Sequence, residues 1–280
     1  MAIQLTLLEQ VIATGSGFVL KPAYMIAMFV MVLYLRKVRD IDLKQLRAGV
    51  AVFLLGEVFC AIDYLFASGT SIPMQWLHGF GMVVGTAMIC LGFVTMLDER
   101  VLFFSDQSRP CAVGRFCRNC KKMEGGRCPF EWLFVFAALS LAVMCLMPLC
   151  SPLATTEQTA MVFGTPVCQS SPAELLFFEM RVYPIAALLL FVVSAVVILV
   201  RKHEPVRAAK YTFSLATGFF IYGLLMYVLQ YCYRDNLVWA TFWEEVTEFM
   251  MTAGLALFLW IFRSQLGVEK RTGTGGPSGC

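Results

Sequence analysis

The chain has 280 residues, of which 59% are hydrophobic and only 15% are charged. A soluble globule of this length needs more polar surface than such a composition supplies, so the sequence excludes an ordinary soluble domain. The formal net charge of +3 is small and gives no case for binding nucleic acid.

The hydrophobic residues occur in long unbroken runs, each able to cross a hydrocarbon core about 30 Å thick. Unbroken runs indicate helices, because the strands of a membrane barrel alternate between apolar and polar residues. The sequence therefore predicts an all-α polytopic membrane protein, with a single seven-helix domain over residues 1–266 and a flexible tail over residues 267–280. The predicted spans cover residues 17–36, 46–67, 74–97, 131–150, 173–200, 208–232 and 238–262.

The basic residues predict the orientation of the bundle. All of the 22 Lys and Arg residues except Lys21, Arg181 and Arg234 lie on one side, in the loops after spans one, three and five, at the adjoining span ends, or after span seven. Positively charged loops stay in the cytoplasm, so we expect the N-terminus outside and the C-terminus inside. The expected location is the plasma (inner) membrane, with several passes through the lipid bilayer.

A hydrophilic loop over residues 99–130 separates spans three and four and contains Cys111, Cys117, Cys120 and Cys128. Four thiolates around a Cys-x-x-Cys core are typical of a zinc site or an iron–sulfur cluster. The spacing matches no standard zinc finger, and free thiols without a metal are the third interpretation. Basic residues between the cysteines would offset the negative charge of a tetrathiolate site, and they also suit a protein partner in the cytoplasm.

Two further cysteines, Cys150 and Cys168, lie on the side predicted to be outside, at the start of and within the loop between spans four and five. An oxidising compartment allows disulfides to persist, so the sequence predicts a bond between these two residues. Closing this short loop would stabilise the fold by about 3 kcal/mol. Cys232 is predicted to lie on the same side and is the alternative partner.

Ionisable residues within the spans are the second unusual feature. A charged side chain near the bilayer centre costs about 2.5–3.5 kcal/mol on insertion scales, so these residues should face one another, water or an ion. One set lies between the bilayer centre and the outer side: Glu57, Asp63, His78, Glu179, Arg181, Glu244, Glu245 and Glu248. Their positions predict an outward-facing polar cavity that binds a cation, a proton or a small polar ligand.

Simpler interpretations exist for some of the same residues. The alternative for Glu57 is a protonated acid that hydrogen-bonds a neighbouring helix, and the alternative for Glu244 and Glu245 is a solvated helix start in the headgroup region. Lys21, near the outer end of span one, is expected to extend its ammonium group to water.

Three function classes fit these observations. The first is a membrane binding or transport protein whose acidic cavity takes a cation, with the cysteine loop as a metal-stabilised element. The second is the membrane subunit of a redox chain, with a quinone in the cavity and an iron–sulfur centre in the loop. The third is a seven-helix sensor that signals through the basic loop. The sequence contains no Walker loop or Ser/His/Asp order, so any enzymatic role would be that of an oxidoreductase subunit.

Overall fold

The computed structural model describes residues 3–38, 40–67, 69–106, 129–153, 157–170, 173–200, 205–233, 235–263 and 266. Within these ranges the protein is all-α apart from one small sheet, which confirms the all-α part of the predicted fold class. The helices are α1 (Leu7–Gly15), α2 (Lys21–Tyr34), α3 (Ile41–Ala67), α4 (Ile72–Leu97), α5 (Pro129–Met144), α6 (Leu146–Cys150), α7 (Ala173–Phe177), α8 (Tyr183–Val200), α9 (Pro205–Cys232) and α10 (Leu237–Ile261). Single π-helical or 3₁₀ turns extend them at Ser16–Leu20, Leu35–Lys37, Asp98–Leu102 and Phe178–Val182. The strands are β1 (Ile3–Gln4), β2 (Glu157–Val162) and β3 (Thr165–Ser170).

Six helical segments of the described chain are long and apolar enough to cross a membrane: Leu7–Tyr34, Ile41–Ala67, Ile72–Leu102, Phe130–Cys150, Glu174–Val200 and Val206–Cys232. Each overlaps one of the first six predicted spans, and together they indicate a multi-pass integral membrane protein. Large apolar side chains on their outer faces, such as Phe18 and Phe136, are exposed and suited to contact with lipid.

The first of these segments begins earlier than the sequence predicts. The helix starts at Leu7 rather than near residue 17, because the π-helical turn at Ser16–Leu20 joins α1 to α2 without a break. Thr6 and Glu9 form a capping box at its start, in which the Thr6 side chain accepts a hydrogen bond from the Glu9 backbone and Glu9 accepts from Thr6 in return.

α10 is also a long helix, and it carries three glutamates in its first half. At its first residue the Leu237 backbone N–H donates to Gln158 Oε1 of β2, at 3.2 Å. Beyond its last residue the Leu266 carbonyl accepts from Arg100, which follows α4, at 3.4 Å. α10 therefore runs the length of the bundle, from the sheet to the end that holds Arg100.

Glycines allow α3 and α4 to pack closely. A Cβ added at Gly85 would lie 2.6 Å from the Phe53 backbone nitrogen, and one added at Gly81 would lie 2.6 Å from the Gly56 Cα. Small residues permit such close approach of two helices. In lipid this packing drives helix association, because burying apolar surface there contributes little free energy. Gly56 immediately precedes Glu57, so this contact also fixes the position of a carboxyl group in the interior.

We expect Gly85→Ala to lower the free energy of unfolding by about 1–3 kcal/mol, because the new methyl group overlaps the Phe53 backbone, which cannot move like a flexible side chain. Gly254→Ala in α10 is the matched control, since no atom lies within 4 Å of its added Cβ. That change should be neutral or stabilising by up to about 1 kcal/mol, because alanine favours helix. Unfolding of the two purified variants in detergent measures the difference, and equal effects would contradict the packing.

The small sheet covers the end of the bundle opposite Arg100. Among the described residues it has three strands in the order β1-β2-β3, with β1 parallel to β2 and β2 antiparallel to β3. The β2–β3 turn places Phe163 and Gly164 at positive φ, as a tight hairpin requires. Hydrogen bonds from the Phe163 backbone to Gln10 Oε1 (3.0 Å) and from Asn236 Nδ2 to Glu9 Oε1 (2.5 Å) hold the sheet, α1 and α10 together.

The predicted Cys150–Cys168 disulfide falls at this end of the molecule. Cys150 is a free, exposed cysteine in the structure. The backbone of Cys168 belongs to β3, paired with Thr159, but its side chain lies outside the described part of the chain. The disulfide therefore stays a prediction, and the free thiol of Cys150 does not support it.

Candidate cation site

Three carboxyl groups meet in the interior of the bundle. Glu57 comes from α3, and Glu245 and Glu248 come from the first half of α10, three residues apart and therefore on one face of that helix. One oxygen from each carboxyl group lies within 4.8 Å of the others. All three residues are buried, and Glu57 has no exposed surface at all.

Two residues at the start of α2 complete the cluster. Lys21 Nζ lies 2.5 Å from Glu57 Oε2 and 2.9 Å from Glu245 Oε1. The Tyr24 hydroxyl lies 2.9 Å from Glu57 Oε2, 2.6 Å from Glu245 Oε2 and 2.6 Å from Glu248 Oε2. The expectation that Lys21 extends into water is wrong, because its ammonium group is bound by the carboxylates and its side chain is only 13% exposed.

The hydrogen bonds at Tyr24 require more protons than its hydroxyl carries. A phenol has one hydrogen to donate and two lone pairs that accept. Three carboxyl oxygens lie within hydrogen-bond distance of that single oxygen atom, so at least two of the contacts need a proton on the carboxyl group or a cation between the oxygens. If all three carboxyl groups were ionised, at least two of their oxygens would face the Tyr24 oxygen with no hydrogen between them. Lone pairs repel at these distances.

The formal charges also show that two positive charges are needed in addition to Lys21. Glu57, Glu245 and Glu248 would together carry three negative charges when ionised, and Lys21 supplies one positive charge. Two negative charges then remain in a medium of low dielectric constant, where uncompensated charge is strongly unfavourable. Two protons or one divalent cation would satisfy both the charge and the contacts at Tyr24.

One carboxylate oxygen of the cluster lacks a hydrogen-bond partner among the described residues. Glu57 Oε1 is fully buried and accepts no hydrogen bond. The nearest ring nitrogen, His78 Nδ1, is 3.8 Å away and lies closer to the Gly56 carbonyl, at 3.1 Å. Because that carbonyl can only accept, Nδ1 carries the hydrogen and directs it away from Glu57. The free oxygen is therefore an available ligand atom beside the cluster.

The other four predicted site residues are not among the three converging carboxyl groups. Asp63 accepts from the backbone N–H at residue 71, at the start of α4. Glu179 accepts from the Tyr222 hydroxyl at 3.4 Å, and Arg181 donates to backbone carbonyls at the end of α6. Glu244 is adjacent in sequence to the cluster but is only partly buried. The eight residues therefore do not line one cavity: three converge, His78 lies beside them, and Asp63, Glu179 and Arg181 bond other groups.

Lys21 and Tyr24 are the site residues that the sequence reasoning missed. They are three residues apart near the start of α2, so both point to the same face. The available signal was charge pairing. Lys21 and Arg181 are the two basic residues predicted to lie within the outer halves of the spans, where several acids are also predicted. The lysine needed to be considered as a partner for those acids rather than as a residue at the membrane surface.

The four cysteines of the predicted metal loop, Cys111, Cys117, Cys120 and Cys128, lie outside the described residues, so their zinc or iron–sulfur assignment stays a prediction. In a comparison of the chain with protein-family models, curated proteins and solved structures, nothing matches.

Proposed function

We propose that this is a membrane protein that binds a cation within the bilayer in exchange for protons, at a site formed by Glu57, Glu245, Glu248 and Tyr24 with Lys21 beside them. The observation that carries the proposal is the meeting of three buried carboxyl oxygens at one phenol hydroxyl. That arrangement is stable only when protons or a cation occupy the space between the oxygens.

The ligand that fits best is a divalent metal ion. Carboxylate and phenol oxygens are hard ligands, which favour Mg²⁺, Ca²⁺ and Mn²⁺. A divalent ion would neutralise the two negative charges that Lys21 leaves, whereas a monovalent ion would neutralise only one. Exchange of one such ion for two protons leaves the charge of the buried site unchanged, so neither state carries uncompensated charge in the low-dielectric interior.

The site belongs to a proposed seven-helix bundle in which α10 is the seventh span, the N-terminus is outside and the C-terminus is cytoplasmic. The positive-inside rule supports this orientation, because Arg100 lies at the end of the bundle that is proposed to be cytoplasmic. There Arg100, which follows α4, contacts Asp42 at the start of α3 and the carbonyl of Leu266. The sheet and the carboxyl cluster then lie in the outer half. The plasma membrane is the proposed location.

Binding of Mn²⁺ to the purified protein tests the proposal. Titration calorimetry in detergent, together with a pH-indicator dye in weak buffer, should record saturable binding and the release of protons. Glu248→Gln should weaken binding by about tenfold or more, because it removes one charged ligand while keeping the shape of a protonated glutamate.

Glu179→Gln is the matched control, since Glu179 is an equally buried glutamate that bonds Tyr222 outside the cluster. It should leave Mn²⁺ affinity unchanged. Absence of binding by the wild-type protein, or an equal loss in both variants, would refute the proposal.

A further inference from the structure

A cavity of about 70 Å³ lies beneath the small sheet, large enough for several water molecules. None of its lining residues is charged. Its polar lining comes from the N-terminal helix, the end of α3, strand β2 and the start of α10: Ser16, Tyr64, Gln158, Asn236 and Thr241. The remaining lining side chains are small or aliphatic.

Two of these residues lie one turn outward of the carboxyl cluster. Thr241 precedes Glu245 by four residues on α10, so the two side chains share a face and are about 6 Å apart along the axis. Ser16 precedes Lys21 by one π-helical turn, and its carbonyl accepts the Lys21 backbone N–H. Both helices run inward from the sheet, which places Ser16 and Thr241 between the sheet and the cluster.

α3 also carries a cavity-lining residue outward of the cluster, although its chain runs in the opposite direction. Tyr64 follows Glu57 by seven residues, which is two turns along the same face and about 10 Å. α3 runs outward, so Tyr64 lies on the sheet side of Glu57. Each of the three helical segments that forms the cluster therefore also lines the cavity, directly outward of it.

We propose that this cavity is the outer entrance of the cation site, through which a small hydrated metal ion passes between the sheet and Glu245. The inference rests on the proposed function. Hydroxyl and amide oxygens replace part of the hydration shell of a cation without holding it as tightly as carboxylates do, which suits a passage rather than a final site. Ser16 and Thr241 lie at its inner end, one turn from Lys21 and Glu245 respectively.

Modification of a cysteine introduced by Thr241→Cys tests the entrance. The native cysteines 150, 168 and 232 are first replaced by serine, and intact cells are treated with a membrane-impermeant cationic methanethiosulfonate. The substituted protein should react, and after purification its rate of Mn²⁺-driven proton release should fall at least about tenfold, because the bound group fills most of a cavity this small. The wild-type protein, with its exposed Cys232, is the positive control for labelling.

Thr165→Cys is the matched variant, because Thr165 is an exposed threonine of β3 in the small sheet that does not line the cavity. Its modification should leave the rate unchanged. Failure of Thr241→Cys to react, or reaction without any effect on the rate, overturns the entrance while the wild-type protein still binds Mn²⁺. Absence of Mn²⁺ binding by the wild-type protein overturns the proposed function as well, so the two failures are distinguishable.

Discussion

Lys21→Met is expected to lower the free energy of unfolding by about 3–5 kcal/mol, because removing one partner of a buried ion pair leaves its carboxylates without a counter-charge. Lys21 bridges Glu57 and Glu245, and both carboxyl groups are almost completely buried. Methionine keeps the apolar length of the side chain, so the loss reports the charge and not a cavity. Unfolding of the purified protein in detergent measures it.

A second substitution separates this electrostatic effect from general damage. Adding Glu245→Gln to Lys21→Met removes the negative charge that Lys21 no longer neutralises and should recover at least half of the lost stability. The loss in Lys21→Met should also shrink as the pH falls, since a protonated carboxyl group needs no counter-charge. Lys44→Met is the control, because Lys44 is exposed and its removal should change stability by less than about 0.5 kcal/mol. Equal losses at residues 21 and 44 would show that the ion pairs contribute nothing.

The helices could be predicted from the sequence because a long apolar run has few stable alternatives in lipid, where every backbone polar group must bond within its own helix. α10 was predicted over 238–262 and occurs at Leu237–Ile261. The sheet could not be predicted in the same way. Its β1 strand has two residues and pairs with Ala160 and Met161, far along the chain, so no local pattern records the pairing.

The sequence predicts the kind of site, a cluster of buried acids, but not which residues form it. The cost of burying a carboxylate in lipid marked Glu57 and Glu248, yet depth alone does not say which acids converge. Asp63 and Arg181 are satisfied by backbone groups near the ends of helices, which a sequence does not reveal. The π-helical turn before Lys21 also rotates the following helix relative to a regular one, so the face that this lysine occupies could not be read from simple helical spacing.

A second buried ion pair lies at the opposite end of the bundle. Lys210 Nζ, near the start of α9, lies 2.9 Å from Asp98 Oδ2, and both side chains are about 6% exposed. Asp98 Oδ1 also accepts the backbone N–H groups of Phe104 (2.6 Å) and Ser105 (3.1 Å), where the chain turns out of α4 through Phe103 in the left-handed region. The pair therefore joins α9 to the end of α4 and fixes the start of the following loop.

Lys210→Met is expected to destabilise the protein by about 3–5 kcal/mol, since it leaves the Asp98 carboxylate buried without a cation. Asp98→Asn combined with Lys210→Met should recover much of that loss, because asparagine still accepts the two backbone N–H groups while carrying no charge. A double-mutant cycle on unfolding free energies measures the coupling, with Arg207→Met as an exposed control on the same helix. Additive losses in the cycle would contradict the pairing. Mn²⁺ affinity should be unchanged in all of these variants that remain folded, because the ion pair contributes no atom to the carboxyl cluster around Tyr24.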